Sequence, residues 1–398
     1  MLRSIREGEI SWLPGLTLHH LPQALPTGIY VHAKGALLGL EAQGVAGSIP
    51  LRNGDTLQIL PKVGQVNFLR MLFLAEGRQG RLRRDYDDFV AFSVDEDESL
   101  NFLVARQLIA SAARILHQSP MVGRIERKGR GAFAVGRLDP VKTALNIAAR
   151  KSAPVEYTRR ERTLDTAENR VISEALVRAQ SSLLPADREM YDPVILKWHR
   201  KFNRSNRIKD DLHEVEEGFS SSRYGGPRGY YHRALMLSQI VLGSFGVGLG
   251  EASLVEGDAM LLNTADVFER YLRATIASRY AAEGYVVSKG GGAMQSLYTD
   301  GSYEITPDII IQKDGKTVLI ADAKYKTPSS SDHYQMNAYL GVMGTSKGIL
   351  LAPAMGKHKV YARAYATGRG CFVHEAFLPM ADLKATEAFL SSLVEQFA

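Results

Sequence analysis

Two short β-branched runs, each carrying an acid, place the tightest limit on this chain of 398 residues. Residues 306–312 are Thr-Pro-Asp-Ile-Ile-Ile-Gln, and residues 317–326 are Thr-Val-Leu-Ile-Ala-Asp-Ala-Lys-Tyr-Lys. Between them lies Lys313-Asp314-Gly315-Lys316, a pattern that predicts a β-hairpin. Side chains alternate along a strand, so Asp322 and Lys324 share a face. Val318, Leu319, Ile320, Ala321 and Ala323 are apolar, which predicts a central strand, where a carboxylate is costly unless paired. A two-residue Asp314-Gly315 loop would set Asp308 opposite Ala321 and turn it away from Asp322. A three-residue loop, starting at Lys313, would set it opposite Ile320 and bring Asp308, Asp322 and Lys324 to one face. Asp-Gly alone favours the shorter loop and the chemistry favours the longer, which is the one expected. Two acids and a lysine so gathered form an anionic, oxygen-rich pocket suited to Mg²⁺ and to phosphodiester hydrolysis. A lone Asp-x-Lys is most often a structural ion pair, but the Pro307-Asp308 spacing and the flanking helices argue for a site.

Those helices are legible too. Asn263 can cap a helix running to about Ala282, with Gly284 as the residue that ends it. It carries Glu269, a candidate third carboxylate, although an exposed helix residue is the commoner meaning of such a Glu. Ser331 or Asp332 can cap a second helix, from His333 to Leu340, on which Gln335 and Tyr339 share a face. An apolar strand at 348–353 follows, and helix, hairpin, helix and strand together make an α/β domain.

Upstream, the first ~80 residues are β-rich by pattern, with alternation at 29–32 and a strand at 55–60 after the turn pair Asn53-Gly54. Helical spacing appears at 68–73 and again at 99–117, where Ser99 can cap. Residues 123–152 are rich in Gly, Arg and Lys with little apolar periodicity, and are expected as an extended loop or protruding hairpin. Helices open at Asp165 or Thr166 and span 230–242, with a loop at 219–229. The expectation is an α+β multidomain chain: a β-rich part at 1–165 with the arm at 123–152, a helical middle at 166–255, and the α/β domain at 256–398.

Charge is unevenly spread. The net formal charge is +6, and residues 121–165 alone hold eleven Lys and Arg against five Asp and Glu. A second basic run covers 197–209, whereas 85–98 holds seven acids and no base. Basic stretches suit phosphate backbones or acidic protein surfaces. A single cysteine, Cys371, excludes an intrachain disulfide and argues against a thiolate zinc site. The N-terminus shows no apolar leader and the greasiest stretch, 234–250, is interrupted by polar residues and glycines, so a cytoplasmic protein is expected. The glycines at 246, 248 and 250 lack the lysine of a phosphate-binding P-loop.

Pro307-Asp308 with Asp322-Ala323-Lys324 resembles the PD-(D/E)xK nuclease superfamily, and Gln335-x-x-x-Tyr339 resembles the added motif of its RecB-like branch. The wider pattern resembles the McrC family, the nuclease subunits of McrBC modification-dependent restriction systems. The matching pieces are Gly-Asp-Thr-Leu-Gln-Ile-Leu-Pro-Lys at 54–62, Arg-Thr-Leu-Asp-Thr-Ala-Glu-Asn-Arg at 162–170, Asn-Thr-Ala-Asp-Val-Phe-Glu-Arg-Tyr at 263–271, and the 306–339 segment. They occur in the expected order over nearly the whole chain, with Val267 where the family has Leu. The resemblance implies a Mg²⁺-dependent endonuclease with Asp308, Asp322, Glu269 and the Ala323 carbonyl as ligands, Lys324 as catalytic lysine, and Gln335 and Tyr339 orienting DNA or the catalytic groups. It also implies a McrB-like hexameric AAA+ GTPase partner, docking through the N-terminal part, and double-stranded DNA with modified cytosine as substrate. The basic residues Arg124, Arg127, Lys128, Arg130 and Arg137 are candidates for meeting that motor or the DNA. Two alternatives stay open: a self-sufficient RecB-like repair nuclease, and a non-catalytic scaffold of an AAA+ ring.

Overall fold

The computed structural model describes residues 2–35, 37–76, 100–183, 185–242, 260–290, 296–354, 360–368 and 370–396. The Ser99 cap, the acidic run at 85–98 and the glycines at 246–250 lie outside the described residues. The chain groups into two compact units, one of Met1–Asn101 with Phe245–Ala398 and one of Phe102–Ser244. This differs from a division at 165 and 255, and strand pairing described below is the reason. Among the described residues no helix is long and apolar enough to cross a membrane.

The first unit opens with β1 (Leu2–Arg6), β2 (Ser11–Trp12), β3 (Ile29–Lys34), β4 (Leu37–Ala42), β5 (Val45–Pro50), β6 (Thr56–Leu60) and helix α1 (Gln65–Glu76). β3 and β2 flank β4 in one small sheet, while β1 runs parallel to β6 and β6 antiparallel to β5 in another. Their alternating apolar residues, Ile5, Leu40, Ile49, Leu57 and Ile59 among them, close one core.

The second unit holds α2 (Leu100–Gln118), β7 (Gly123–Gly131), β8 (Arg137–Leu138), α3 (Pro140–Ala148), β9 (Val155–Thr163), α4 (Ala167–Ser181), α5 (Pro185–His199), α6 (Ile208–Ser220) and α7 (Gly229–Val241). Of the two expectations for the arm, an extended loop or a hairpin, antiparallel strand pairing is found: β7 pairs with β9 along its full length, and β8 joins the same strand. α3 was not evident from periodicity because Val141, Leu145 and Ile147 are exposed rather than packed. Its start signals are local ones, Asp139 accepting from the Lys142 N–H and Pro140 in the first turn. α4 begins as expected, with Thr166 Oγ1 accepting from the Asn169 N–H. Three successive residues of the 162–170 motif serve as ties. Glu168 accepts from Tyr224, Arg170 forks onto Asp211, and buried Asn169 donates to the Met121 and Leu164 carbonyls while accepting from Tyr231.

The chain then returns to the first unit through β10 (Met260–Asn263), which pairs antiparallel with β5. α8 (Thr264–Tyr280) follows at once, capped by Asn263 as expected, and Gly284 takes the left-handed conformation after a short 3₁₀ turn. β11 (Tyr285–Ser288), β12 (Ile309–Lys313), β13 (Lys316–Ala323), α9 (Ser330–Met343), β14 (Lys347–Pro353), β15 (Tyr361–Ala366), β16 (Phe372–Leu378) and α10 (Leu383–Glu395) complete it. They form a six-stranded sheet of order β11-β12-β13-β14-β16-β15, with β13, β14 and β16 parallel. α9 packs on this sheet through Met336, Tyr339 and Leu340 against Ile320, Leu350 and Val373. Gly348 permits the approach, since a Cβ there would lie 2.6 Å from the Met336 sulfur.

Candidate active site

The acid pair is brought together by a route other than the one expected. β12 and β13 are joined by the two-residue turn Asp314-Gly315, both at positive φ (52° and 75°), the type I′ geometry that Asp-Gly favours. In plain register that turn would send Asp308 away from Asp322. A bulge intervenes: Gln312 pairs with Thr317 but Ile311 with Leu319, leaving Val318 as the extra residue. Ile309 then pairs with Ala321, and the ladder continued by one residue sets Asp308 across from Asp322. The predicted three-residue loop is thus replaced by a tight turn plus a bulge, and the three groups still reach one face.

Asp322 is only 3% exposed. Its Oδ2 lies 2.6 Å from Lys324 Nζ, yet outside hydrogen-bonding angles, so this buried oxygen has no donor of proper geometry. Asp308 Oδ2 accepts the Ala323 N–H at 2.9 Å. Burial first, then the Asp322 and Glu269 charges, push the Asp308 carboxyl up to about 7, against the Ala323 amide, which favours the charged form. A proton kept on Asp308 up to about pH 7 relieves the two adjacent carboxylates of their repulsion.

Lys324 follows β13, and its N–H continues the ladder to the Leu351 carbonyl at 2.8 Å. Its ammonium donates to Gln335 Oε1 at 2.9 Å and lies 3.4 Å from Asp332 Oδ1. Burial alone would lower the Lys324 pKa, but the Asp322, Asp332 and Asp308 carboxylates raise it above the usual lysine value. It therefore stays an ammonium and is no general base.

Asp332 was expected only as a helix cap. The N-cap is Ser329 instead, and Asp332 is the third helical residue, its carboxylate reaching back to the Ser329 N–H at 2.7 Å. It is buried, and the Ser329 hydrogen bonds with Lys324 and Lys326 outweigh that burial, holding the carboxylate down at about 2. The Ser329-x-x-Asp332 spacing is a capping-box signature and was readable; its second task, holding Lys324, was not.

Glu269, on α8, is engaged rather than free. Its Oε1 accepts from Arg273 at 2.6 Å and from Lys289 at 2.7 Å. Burial would raise its pKa, and these two cations lower it below the usual value. Arg273 also donates to the Asp308 carbonyl at 2.9 Å, so it ties α8 to the acid pair. Arg273 was visible as the residue four after Glu269; nothing local pointed to Lys289. Tyr339 is 5% exposed and packs in the helix–sheet core, and burial with the Asp322 and Asp308 charges raises its hydroxyl pKa. Core packing and nearness to the acids are thus both realised in one residue. Gln335, one turn earlier, is exposed at the rim.

Among the described residues no three His, Cys, Asp or Glu side chains form a ready metal cage. Asp308 and Asp322 nevertheless fit a hard cation. Mg²⁺ commonly takes one or two carboxylates and keeps its remaining positions for water and phosphate. The undonated Asp322 Oδ2 and the raised Asp308 carboxyl are oxygens that a cation would satisfy. Glu269 is already held by two cations, Arg273 and Lys289.

The basic candidates lie in the other unit, on β7 and β8, and all are exposed. Paired residues share a face, which splits them. Arg124 faces Arg162, Lys128 faces Thr158 with Arg137 on its far side, and Arg130 faces Glu156. Arg127 is on the opposite face, across from Arg159 and ion-paired to Glu161 at 3.2 Å.

A mixed sheet thus bears two acids and a lysine at the ends of adjacent strands, with α9 packed against it. The sequence matches the family described as McrBC 5-methylcytosine restriction system component over residues 40–353, and the chain belongs to that family. Its fold is that of a chain in the refined half-complex from the tetradecameric assembly of Thermococcus gammatolerans McrB AAA+ hexamers with bound McrC. The likeness has a TM-score of 0.67 at 14% identity and covers 100% of both chains. The Thermococcus gammatolerans McrBC complex is a looser likeness, with a TM-score of 0.49 at 14% identity over 70% of this chain and 87% of that one. No curated protein matches the sequence.

Proposed function

We propose that this chain is the Mg²⁺-dependent DNA endonuclease subunit, of PD-(D/E)xK type, in a McrBC-like restriction system. The observation that carries the reading is the Asp308–Asp322 pair with Lys324 on one face of β12 and β13, in a chain of the McrBC family. Asp308 and Asp322 would hold the cation, which when bound supplies Lewis-acid polarisation of the phosphodiester and an acidified water. Lys324, fixed by Gln335 and Asp332, offsets charge that grows on the phosphate as the P–O bond breaks. Asp332 and the capping box keep that ammonium from swinging into solvent. Tyr339, one turn after Gln335, anchors this face of α9 in the helix–sheet core.

The partner in this proposal is a McrB-like AAA+ hexamer that hydrolyses GTP and delivers DNA with modified cytosine. The solved chain of the same fold is bound to McrB AAA+ hexamers. The second unit suits such a contact. Around β8 and α3, Phe133 (82%), Val135 (56%), Val141 (68%) and Leu145 (64%) are exposed, beside the basic strands. Exposed apolar side chains in number suit a protein surface better than a phosphate backbone, which favours the motor over DNA as the contact of this region.

The test uses the purified protein with Mg²⁺, with and without its GTPase partner and GTP, on methylated and unmethylated DNA. Cleavage confined to the complete mixture with methylated DNA is expected. Cleavage by the chain alone, or none under any condition, would overturn the proposal.

A further inference from the structure

A buried polar cluster outside the candidate site ties two of its elements together. Glu7 follows β1 and is 2% exposed. Its Oε1 accepts from Thr264 Oγ1 at 2.6 Å and its Oε2 from the Lys62 N–H at 3.3 Å. Thr264 opens α8, five residues before Glu269. Lys62, just after β6, sends its Nζ to the carbonyl of Tyr325 at 3.5 Å and lies 5.3 Å from that ring's centroid. Tyr325 is the residue after Lys324, and its ring sits 5.3 Å from that of Phe268, the neighbour of Glu269. Gly8, at φ +80°, leaves room for the lysine stem, since a Cβ there would stand 2.7 Å from Lys62 Cε.

We infer that Glu7 and Lys62 are positioning residues of the nuclease centre, locking the Lys324–Tyr325 end of β13 to the first turn of α8. Stability alone gives a poor reason for burying the Glu7 carboxyl here, because apolar packing of equal volume would spare its desolvation. Its placement gives a better one. It touches the end of β13 beside Lys324 and the first turn of α8, the helix that carries Glu269, while its contacts go to neither Asp308 nor Asp322. A displacement of ~1 Å at a reacting group can cost on the order of 10²-fold in rate. The N-terminal sheet is thereby part of the catalytic support, and not only a platform for a partner. The inference rests on the nuclease reading proposed above.

Lys62→Met keeps the stem and removes the ammonium; Lys62→Arg keeps the charge. Each is compared with Asp322→Asn and wild type in the full chain with its GTPase partner, by single-turnover cleavage, DNA affinity in Ca²⁺, and amide exchange. The expectation for Lys62→Met is a cleavage rate lowered about 10–100-fold, unchanged DNA affinity, and faster exchange confined to residues 323–326 and the first turn of α8. Lys62→Arg should recover most of the rate. Cleavage by Lys62→Met within about twofold of wild type, or unchanged exchange at 323–326, overturns the inference while leaving the nuclease reading intact. Wild-type cleavage by Asp322→Asn overturns the nuclease reading itself, and the exchange data still decide whether Lys62 holds the strand end. Should Lys62→Met fail to fold, isosteric Glu7→Gln takes its place with the same readouts and the same deciding results.

Discussion

The β12–β13 hairpin and the β7–β9 pair are both antiparallel ladders loaded with charge, and they use it in opposite ways. In the first, Asp322 is 3% exposed and each neighbouring charge is specified by at least one short contact. In the second, Arg127 and Arg160 have side chains 64% and 71% exposed, and their ion pairs to Glu161 and Glu126 sit in water. Charges out of water interact strongly enough to move one another's proton affinities, while exposed pairs contribute about 0–1 kcal/mol. The second ladder also sets Arg124 opposite Arg162 and Arg127 opposite Arg159, like charges that repel, the second pair being offset by Glu161, which ion-pairs with both arginines. The first ladder thus gathers its charges out of water, and the second leaves them exposed.

The contrast is broken most directly at the hairpin. Asp322→Asn keeps shape and removes the charge. Cleavage should fall by about 10³-fold or more, as loss of several kcal/mol of transition-state stabilisation requires, with folding and partner binding retained. Near-normal cleavage would put both ladders in the same class. Lys324→Arg keeps the charge but replaces a compact ammonium held by Gln335 and Asp332 with a planar fork. A loss of about 10²-fold is expected, and full activity would mean that only bulk electrostatics matter there.

A pH measurement sharpens the same point on folding. In the cation-free protein the Asp308 carboxyl is pushed up to about 7 from an ordinary 3.8. The native state thus holds a proton that the unfolded chain has released, so this stabilising contribution is present at low pH and is lost as pH rises from about 4 to about 7. The melting temperature without divalent cation should fall between pH 5 and pH 8, by an effect on the order of a few kcal/mol at most. Asp308→Asn should flatten the slope, and Mg²⁺ should restore stability at pH 8. A cation-free protein equally stable at both values would show that the acids are not coupled.

Effects on the basic ladder should be smaller and divided by face. Neutralising Arg124, Lys128 and Arg130 together should lower partner-stimulated GTP hydrolysis measured without DNA. If that rate holds while DNA affinity drops and its salt dependence becomes shallower by about two to three, the face meets DNA instead. Arg127→Ala, on the other face, should change stability by no more than about 1 kcal/mol and leave GTP hydrolysis unaltered. An equal loss from Arg127→Ala would mean that both faces are engaged.

Much of this was legible in residue order. Caps at Asn263 and Thr166, the left-handed Gly284 and the shared face of Asp322 and Lys324 follow from local backbone chemistry, which sequence neighbours set. The turn chemistry of Asp314-Gly315 was legible as well, and it was outweighed in the expectation by the need to align Asp308. The bulge at Val318 reconciled the two, and no periodicity marks an extra residue inside an apolar run. Helix α3 escaped notice for the reverse reason: its apolar residues face solvent, so the usual link between helical spacing and burial is absent.

By itself, then, the sequence determined which residues were candidates for a site and which short stretches would be strand, helix or turn, because those follow from side-chain type and backbone preference over a few residues. Only the tertiary structure decided that residues 260–263 return to pair with β5, that Lys289 and Arg273 both hold Glu269, and that Lys62 reaches the strand end beside Lys324. Each of these joins positions distant in the chain. Their pairing depends on which surfaces packing brings together as water is excluded, and no local rule encodes it.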